Sequence, residues 1–298
     1  MCFYLRKKNI LVIKMNGCAM NKMINPRKFS GCVNKMRQFF LQKNFVEVHT
    51  QNLRSILAAC EDPTTISTYQ YAGKVWPLPQ TGQMWLEHVL LDNPDYEGAF
   101  CLSTSYRNEP NPVPGRHDLM FPMFEFESKG NVNDMQDLQI ELLDHLGFEK
   151  TDGGYPEGDY LDICDKYNTA ELDHEDEFQL QRDYGEVFFL KNFPFYTSPF
   201  WNMKADFTSQ KANKIDVILA GQETIGSAER SCDKDEMREM FYTISDGQYK
   251  DILYREFSKE RVDQELNDFL DRDFFPRYGG GIGVTRMIRA MNNSNLLE

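Results

Sequence analysis

The sequence predicts an α+β fold built on a mainly antiparallel β-sheet flanked by helices, and three observations carry that expectation. Strand candidates at residues 100–106, 120–127, 187–190 and 215–219 do not alternate regularly with helices, as a doubly wound parallel sheet would require. Two segments have helical apolar spacing instead: Val33, Met36 and Phe40 in one, and Met135, Leu138 and Leu142 in the other. No repeat, low-complexity stretch or Pro/Gly/Ser-rich linker divides the 298 residues, which favours one domain over residues 26–298 behind an extension of residues 1–25.

Taken in order, Asn25 followed by Pro26 reads as a helix start, and the apolar spacing carries that helix to about Gln42. Residues 45–50 alternate as a strand, and residues 133–146 form the second helix. Hydrophobic residues make up 41% and charged residues 27%, with 22 Phe and 14 Tyr, a composition that supports a large buried core. The excess of 46 acidic over 33 basic residues, net charge -13, argues against a broad basic surface for nucleic acid. Seven scattered cysteines without a Cys-x-x-Cys pair argue against a disulfide framework or a zinc site and fit a reducing cytoplasm. The apolar run Ile10 to Ile13 behind Arg6, Lys7 and Lys8 is too short to span a membrane, and no cleavage-site pattern follows it. With Met15, Met20 and Met23 close behind, the run reads as an ambiguity of start site or an untidy first strand.

Three stretches carry chemistry. In the first, Ser105-Tyr-Arg107-Asn-Glu109 leads through a Pro-rich connector to Gly115-Arg116-His117 and then Phe121 through Glu127. Two strands joined by such a loop place Arg107, Arg116 and His117 around one anion, and the arginine fork matches phosphate oxygens without ever deprotonating. A surface hairpin with Arg and Glu paired across its strands fits the same residues. In the second, Gly279-Gly-Gly281-Ile-Gly283-Val-Thr-Arg286 is a glycine strand running into a helix that carries an arginine in its first turn. A structural Gly-rich turn is the alternative; a dinucleotide loop is disfavoured because the spacing is not Gly-x-Gly-x-x-Gly. In the third, Asp216 and Glu223 lie seven apart across a strand and turn, where two hard oxygens can share one Mg2+, or stand simply solvated.

In this order the three stretches resemble motif 2, the metal-binding segment and motif 3 of the class II aminoacyl-tRNA synthetases, nearest the aspartyl and asparaginyl branch. Residues 79–84 are similar to the Ser-Gly-Gln-Leu loop of the asparaginyl enzymes, and residues 193–201 to their Phe-Pro segment, while residues 26–50 resemble motif 1. The resemblance implies a class II catalytic core that uses ATP and Mg2+. In it Arg107 holds the α-phosphate and Glu109 faces the adenine side. Arg116 and His117 grip the outer phosphates, Phe121 stacks on adenine, and Gly281, Gly283 and Arg286 complete the nucleotide site, with Arg107 and Arg286 catalytic. Asp216 and Glu223 are the metal ligands, and Gln83, Glu125 and Arg230 contact the amino acid.

The departures bear on substrate and acceptor. Leu86 stands where aspartyl enzymes have a substrate-binding lysine, as in asparaginyl enzymes, yet Arg230 is available for a side-chain carboxylate, so aspartate and asparagine both stay open. Gln51 replaces the motif 1 proline, residues 226–228 read Gly-Ser-Ala rather than Gly-Gly-Ser, and Thr285 replaces an acid. The last change resembles the ammonia-dependent asparagine synthetases of this fold. Residues 1–25 are too few for the anticodon-binding barrel that tRNA-charging relatives carry before the core. The expected reaction is therefore aspartate to aspartyl-adenylate, then attack by ammonia to give asparagine, in a cytoplasmic homodimer with no membrane partner. Transfer to tRNA, transfer to another acceptor and a catalytically inactive ligand-sensing paralog are the competing expectations.

Overall fold

A computed structural model of the chain describes residues 23–51, 53–56, 63–113, 115–197 and 200–297. The extension expected at residues 1–25, the run Ile10 to Ile13, and Cys2, Cys18 and Cys60 lie wholly or mostly outside the described residues. The first helix, α1 (Pro26–Gln42), starts where the sequence signals it: the Asn25 side chain accepts from the Arg27 and Lys28 amides, and Pro26 fills the first turn. Strand β1 (Val46–Glu47) follows, then the hairpin β2 (Thr68–Tyr71) and β3 (Lys74–Pro77), helix α2 (Gln83–Asp92), and the long pair β4 (Gly98–Tyr106) and β5 (Met120–Lys129). The strand expected over residues 45–50 is only two residues long. It pairs parallel with the edge of β4, and after the Val48 amide bonds the Phe100 carbonyl at 2.8 Å the chain leaves the sheet.

Helix α3 (Val132–Leu146) opens on a capping box between Asn131 and Asp134 and ends at Gly147, whose φ of 99° is a left-handed cap. Beyond it come β6 (Glu157–Asp159), α4 (Tyr160–Tyr167), α5 (His174–Tyr184), β7 (Val187–Pro194), β8 (Ala205–Asp206), and the hairpin β9 (Lys211–Leu219) and β10 (Gln222–Glu229). Ala220 and Gly221, both at positive φ, close that hairpin in two residues. Three helices, α6 (Lys234–Thr243), α7 (Gln248–Phe257) and α8 (Lys259–Leu270), precede β11 (Arg277–Gly283) and α9 (Val284–Asn293). The main sheet runs β1-β4-β5-β11-β10-β9-β7-β6, with β8 beside β9; only the β1–β4 and β6–β7 pairs are parallel. The expected antiparallel sheet flanked by helices is the observed architecture.

The register divides this sheet into two chemically different faces. One row runs Leu102, Phe124, Ile282, Ile225, Val217 and Phe189 across six strands. With Phe100 and Phe126 it packs on α1, α3 and α9, where Phe40 meets the rings of Phe100, Phe124 and Phe126 at 5.3–5.6 Å. The adjacent row on the opposite face runs Cys101, Glu125, Gly281, Gly226 and Asp216, and the next runs Ala99, Glu127, Gly279, Ala228 and Lys214. Alternation by two thus gives the helices the apolar side and leaves a face of small and charged residues. A second cluster, with Trp201, Phe241, Leu253, Leu266 and Phe269, joins α6, α7 and α8 to α2. Among the described residues no helix is long and apolar enough to cross a membrane.

Helix α2 carries a titration that the fold must suppress. His88 is 5% exposed, edge-on to Phe269 at 5.4 Å, and burial, reinforced by Arg54 and Arg272, lowers its pKa from 6.5 to about 2. Above pH 6.5 the ring is neutral whether folded or unfolded; below it only the unfolded chain takes up the proton. Stability therefore falls with pH from 6.5 down towards 2, by about 1.4 kcal/mol per pH unit from this group. Between pH 6.5 and 5 the wild type is expected to lose about 2 kcal/mol more than His88→Gln in urea unfolding; equal losses would remove His88 from the account.

Candidate active site

The strands β4 and β5 and the loop between them deliver the first group of side chains. Arg107, at the end of β4, is anchored by its amide to the Leu119 carbonyl at 2.8 Å, and its guanidinium lies 5.5 Å from the centre of the Phe121 ring. Its Nε is buried without a hydrogen-bond partner. In the loop, His117 Nδ1 stands 3.2 Å from Glu109 Oε2, within ion-pair range but not aligned as a hydrogen bond. Arg116 Nη2 donates to Glu177 of α5 at 2.5 Å, and the other Glu177 oxygen accepts from the Glu223 amide at 2.9 Å. One glutamate thus ties the loop to β10. Arg286, in the first turn of α9, reaches across to the Glu223 carbonyl at 2.5 Å and the Arg116 carbonyl at 3.4 Å. Arg107, Glu109, Arg116, His117, Phe121, Glu223, Gly281, Gly283 and Arg286 all line one cavity of about 230 Å³. The loop arginines converge with the glycine strand and do not pair across their own strands.

Asp216 and Glu223 meet over Gly226. The register shift between Glu223 and Ile225 inserts one extra residue, so Glu223 and Gly226 share a face despite their odd spacing. A Cβ on Gly226 would fall 2.8 Å from Glu223 Oε1 and 3.6 Å from Asp216 Oδ1; the missing side chain is what lets both carboxylates face the same space. Asp216 Oδ2 is held by Lys214 Nζ at 2.7 Å, while Oδ1 is buried with no hydrogen-bond partner. Burial raises the Asp216 pKa, with Lys214 opposing and Glu223 adding to the rise. Glu223 is also raised by burial, but the cations Lys214, Arg286, Arg107 and Arg116 outweigh that and leave it below the ordinary carboxylate range. An unpaired buried carboxylate oxygen beside a second ionised carboxylate fits a hard divalent cation completed by phosphate oxygens. Among the described residues no third His, Cys, Asp or Glu joins them.

A smaller cavity of about 150 Å³ adjoins the first, and Arg107, Met123, Glu223, Gly226 and Gly281 line both. Its own walls are Phe200, Lys214, Ala228, Arg230, Gly279 and Gly280. Of the residues expected to contact the amino acid, only Arg230 lines it. Gln83 and Glu125 are fully buried and line neither cavity. Gln83 donates to the Phe126 carbonyl at 3.0 Å and to Glu127; Glu125 accepts from Thr81, from the Gly82 amide at 2.8 Å and from Ser103 at 2.6 Å. Arg230 itself is not the available fork read from the sequence. At 1% exposure it needs a counter-ion, and Glu127 accepts from its Nε and Nη2 at 3.1 and 3.2 Å. Burial raises the Glu127 pKa and Arg230 pulls it back. A Cβ at Gly279 would overlap Glu127 and Gln83, so the strand needs glycine there. The sequence reading also missed Glu177 and Lys214. Nothing local marks Glu177, whereas Lys214 was legible as the i−2 neighbour of Asp216 on one strand face.

The fold is that of the class II aminoacyl-tRNA synthetase core. Residues 7–297 match the family described as tRNA synthetases class II (D, K and N), and the chain belongs to that family. It is similar to the aspartate–tRNA(Asp) ligase of Pyrobaculum aerophilum, 22% identical over 88% of this chain and 62% of the relative. The cytoplasmic aspartate–tRNA ligase of Rattus norvegicus is 21% identical over 87% of this chain and 55% of its own length. The crystal structure of asparaginyl-tRNA synthetase from Pyrococcus horikoshii complexed with asparaginyl-adenylate superposes with a TM-score of 0.71 at 20% identity, covering 88% of this chain and 64% of that one. At such identity the likeness shows the fold. The chain spans less than two thirds of the length of each of these relatives.

Proposed function

We propose that the chain binds ATP with Mg2+ and activates aspartate, or its amide asparagine, as an aminoacyl-adenylate. The observation that carries this reading is the junction of the two cavities at Arg107, Glu223, Gly226 and Gly281. A nucleotide in the larger cavity and an amino acid in the smaller one bring carboxylate and α-phosphate together beside Arg107. There a carboxylate oxygen of the amino acid forms a bond to phosphorus and pyrophosphate leaves: the side-chain carboxylate where ammonia is to give asparagine, the α-carboxylate where tRNA is the acceptor. Adenylation needs positioned reactants and fixed positive charge where the phosphate gains negative charge, which Arg107, Arg116 and Arg286 supply. Phe121 offers its ring to the base, and Glu109 and His117 border the same space. Asp216 and Glu223 would hold Mg2+, which neutralises phosphate charge when bound. Gln83, Glu125 and Arg230 shape the amino-acid end from beneath the glycine floor.

In this reading ammonia attacks the side-chain acyl carbon of β-aspartyl-adenylate and AMP leaves, giving asparagine, in a cytoplasmic homodimer paired through α1. Thr285, which lines the nucleotide cavity where synthetases of the branch have an acid, supports ammonia through the resemblance to the asparagine synthetases. A second acceptor, tRNA, is favoured by the names of the curated relatives, which are tRNA ligases. Incubation with ATP, Mg2+ and aspartate, with and without ammonium or total tRNA, separates them by assay of asparagine, AMP and aminoacyl-tRNA. Ammonium-dependent asparagine is the expected product. Charging of tRNA with no free asparagine replaces the acceptor, and no amino-acid-dependent release of pyrophosphate from any substrate returns the inactive, ligand-sensing reading.

A further inference from the structure

Glu177 touches the larger cavity from behind. It belongs to the first turns of α5, whose start is fixed by a capping box between Asp173 and Asp176. The residues after it anchor the helix: Leu180 is fully buried, and Phe178 closes over Gly221, where a Cβ would fall 2.5 Å from its ring. Glu177 does not line the cavity, whereas Arg116, Glu223 and Arg286 do. Its Oε1 accepts from Arg116 Nη2 at 2.5 Å and its Oε2 from the Glu223 amide at 2.9 Å. On the other side Arg286 donates to the carbonyls of Glu223 and Arg116. Arg116 and Glu223 are thus joined twice, by an acid on α5 and by a base on α9, in one closed ring.

We infer that Glu177 is a positioning residue for the nucleotide: it holds the Arg116 guanidinium ready for the outer phosphates and fixes that grip relative to Glu223. The inference rests on the reading of the larger cavity as the nucleotide site. Arg116 stands in the connector between β4 and β5, which has no helix or strand of its own among the described residues. A long side chain in such a loop has rotamer freedom to lose when phosphate binds, and a partner fixed to a helix removes that freedom beforehand. The two side chains are each only 15% exposed, so solvent and salt screen the pair less than a surface one. Among the described residues Glu177 is the only acceptor bonded to the Arg116 side chain, and a guanidinium carries five donors, so most of the fork is left for phosphate oxygens. Charge alone argues for the opposite effect, because removal of an acid makes the cavity more positive and favours ATP. Orientation is expected to win: the charges of Arg107, Arg116 and Arg286 remain in either case, and what Glu177 adds is the place of one of them.

Calorimetric titration of a non-hydrolysable ATP analogue, with and without Mg2+, and amino-acid-dependent ATP–pyrophosphate exchange test this in wild type, Glu177→Gln, Arg116→Ala and the double variant. Glu177→Gln keeps the shape and one acceptor but drops the charge. Its affinity for the analogue, with and without Mg2+, and its KM for ATP are expected to weaken about ten- to hundredfold, as for other partners that orient a binding group. The kcat and the KM for aspartate stay within about threefold of wild type, because Arg116 holds the outer phosphates equally before and during reaction. In the Arg116→Ala background the same change adds almost nothing, since its effect passes through Arg116. Glu177→Asp, charged but too short to span both partners, is expected to fall between and replaces the amide variant if that one does not fold. Unchanged or tighter analogue binding by Glu177→Gln, or a loss that simply adds to that of Arg116→Ala, overturns the inference and leaves adenylation intact. Weakened analogue binding by Glu177→Gln, in a protein whose wild type exchanges no pyrophosphate with any amino acid, refutes adenylation and keeps the role of Glu177. A wild type that does not bind the analogue removes both.

Discussion

Arg107→Ala is expected to lower kcat/KM for amino-acid-dependent ATP–pyrophosphate exchange by a factor of about 10³, the cost of removing one fixed donor from a charge-developing centre. Among the described residues Arg107 is the one cationic side chain that borders both cavities, and its backbone is fixed between β4 and the loop by the bond to the Leu119 carbonyl. Its Nε has no hydrogen-bond partner among the described residues, so removal of the side chain breaks no hydrogen bond from that atom to them. Folding should survive: the melting temperature is expected to stay close to wild type while exchange falls. A variant that keeps activity within tenfold would remove Arg107 from the reacting phosphate. Arg107→Lys is expected to fall between, because an ammonium restores the charge without the planar fork.

The second large effect concerns stability rather than chemistry. Beneath the amino-acid end, Glu87 of α2 and Arg277 of β11 are both fully buried. Glu87 Oε2 accepts from Arg277 Nη2 at 2.8 Å and from Arg277 Nε at 3.2 Å, while its Oε1 accepts from Asn202 at 2.7 Å and stands 3.8 Å from Arg230 Nε. Arg277 further donates to the Ser231 carbonyl at 3.1 Å. Glu87→Leu would leave Arg277 charged, desolvated and without its carboxylate, which costs about 3–5 kcal/mol. Urea unfolding should show that loss as a lower midpoint with an unchanged slope. Glu87→Gln, which keeps shape and an acceptor, should lose clearly less. A loss below about 1 kcal/mol for Glu87→Leu would mean the network is dispensable. Glu127, Arg230, Glu87 and Arg277 thus alternate acid and base within one buried cluster.

The sequence by itself determined what depends on neighbours along the chain. The start of α1 at Asn25 and Pro26, the apolar faces of α1 and α3, the long strands β4 and β5, and the paired carboxylates Asp216 and Glu223 were all legible because capping, periodicity and short spacing are local signals. The residues that line the larger cavity were legible for the same reason, since Arg107 to Phe121 and Gly281 to Arg286 each lie within one strand-turn or strand-helix segment. Only the tertiary structure decided what comes from sequence-distant elements. The β1 strand stopped after two residues because beyond Val48 the chain leaves β4, a departure its own alternation does not signal. Gln83 and Glu125 went under the floor instead of into the cavity because hydrogen bonds to Thr81, Ser103 and Glu127 claimed them, and Arg230 lost its free fork to Glu127, a residue 103 positions away. Glu177 and Lys214 entered the site through the packing of α5 and the sheet register. Buried charge is expensive and must find its partner wherever the fold brings one, so the pairing of charges is a property of the assembled sheet and not of any segment within it.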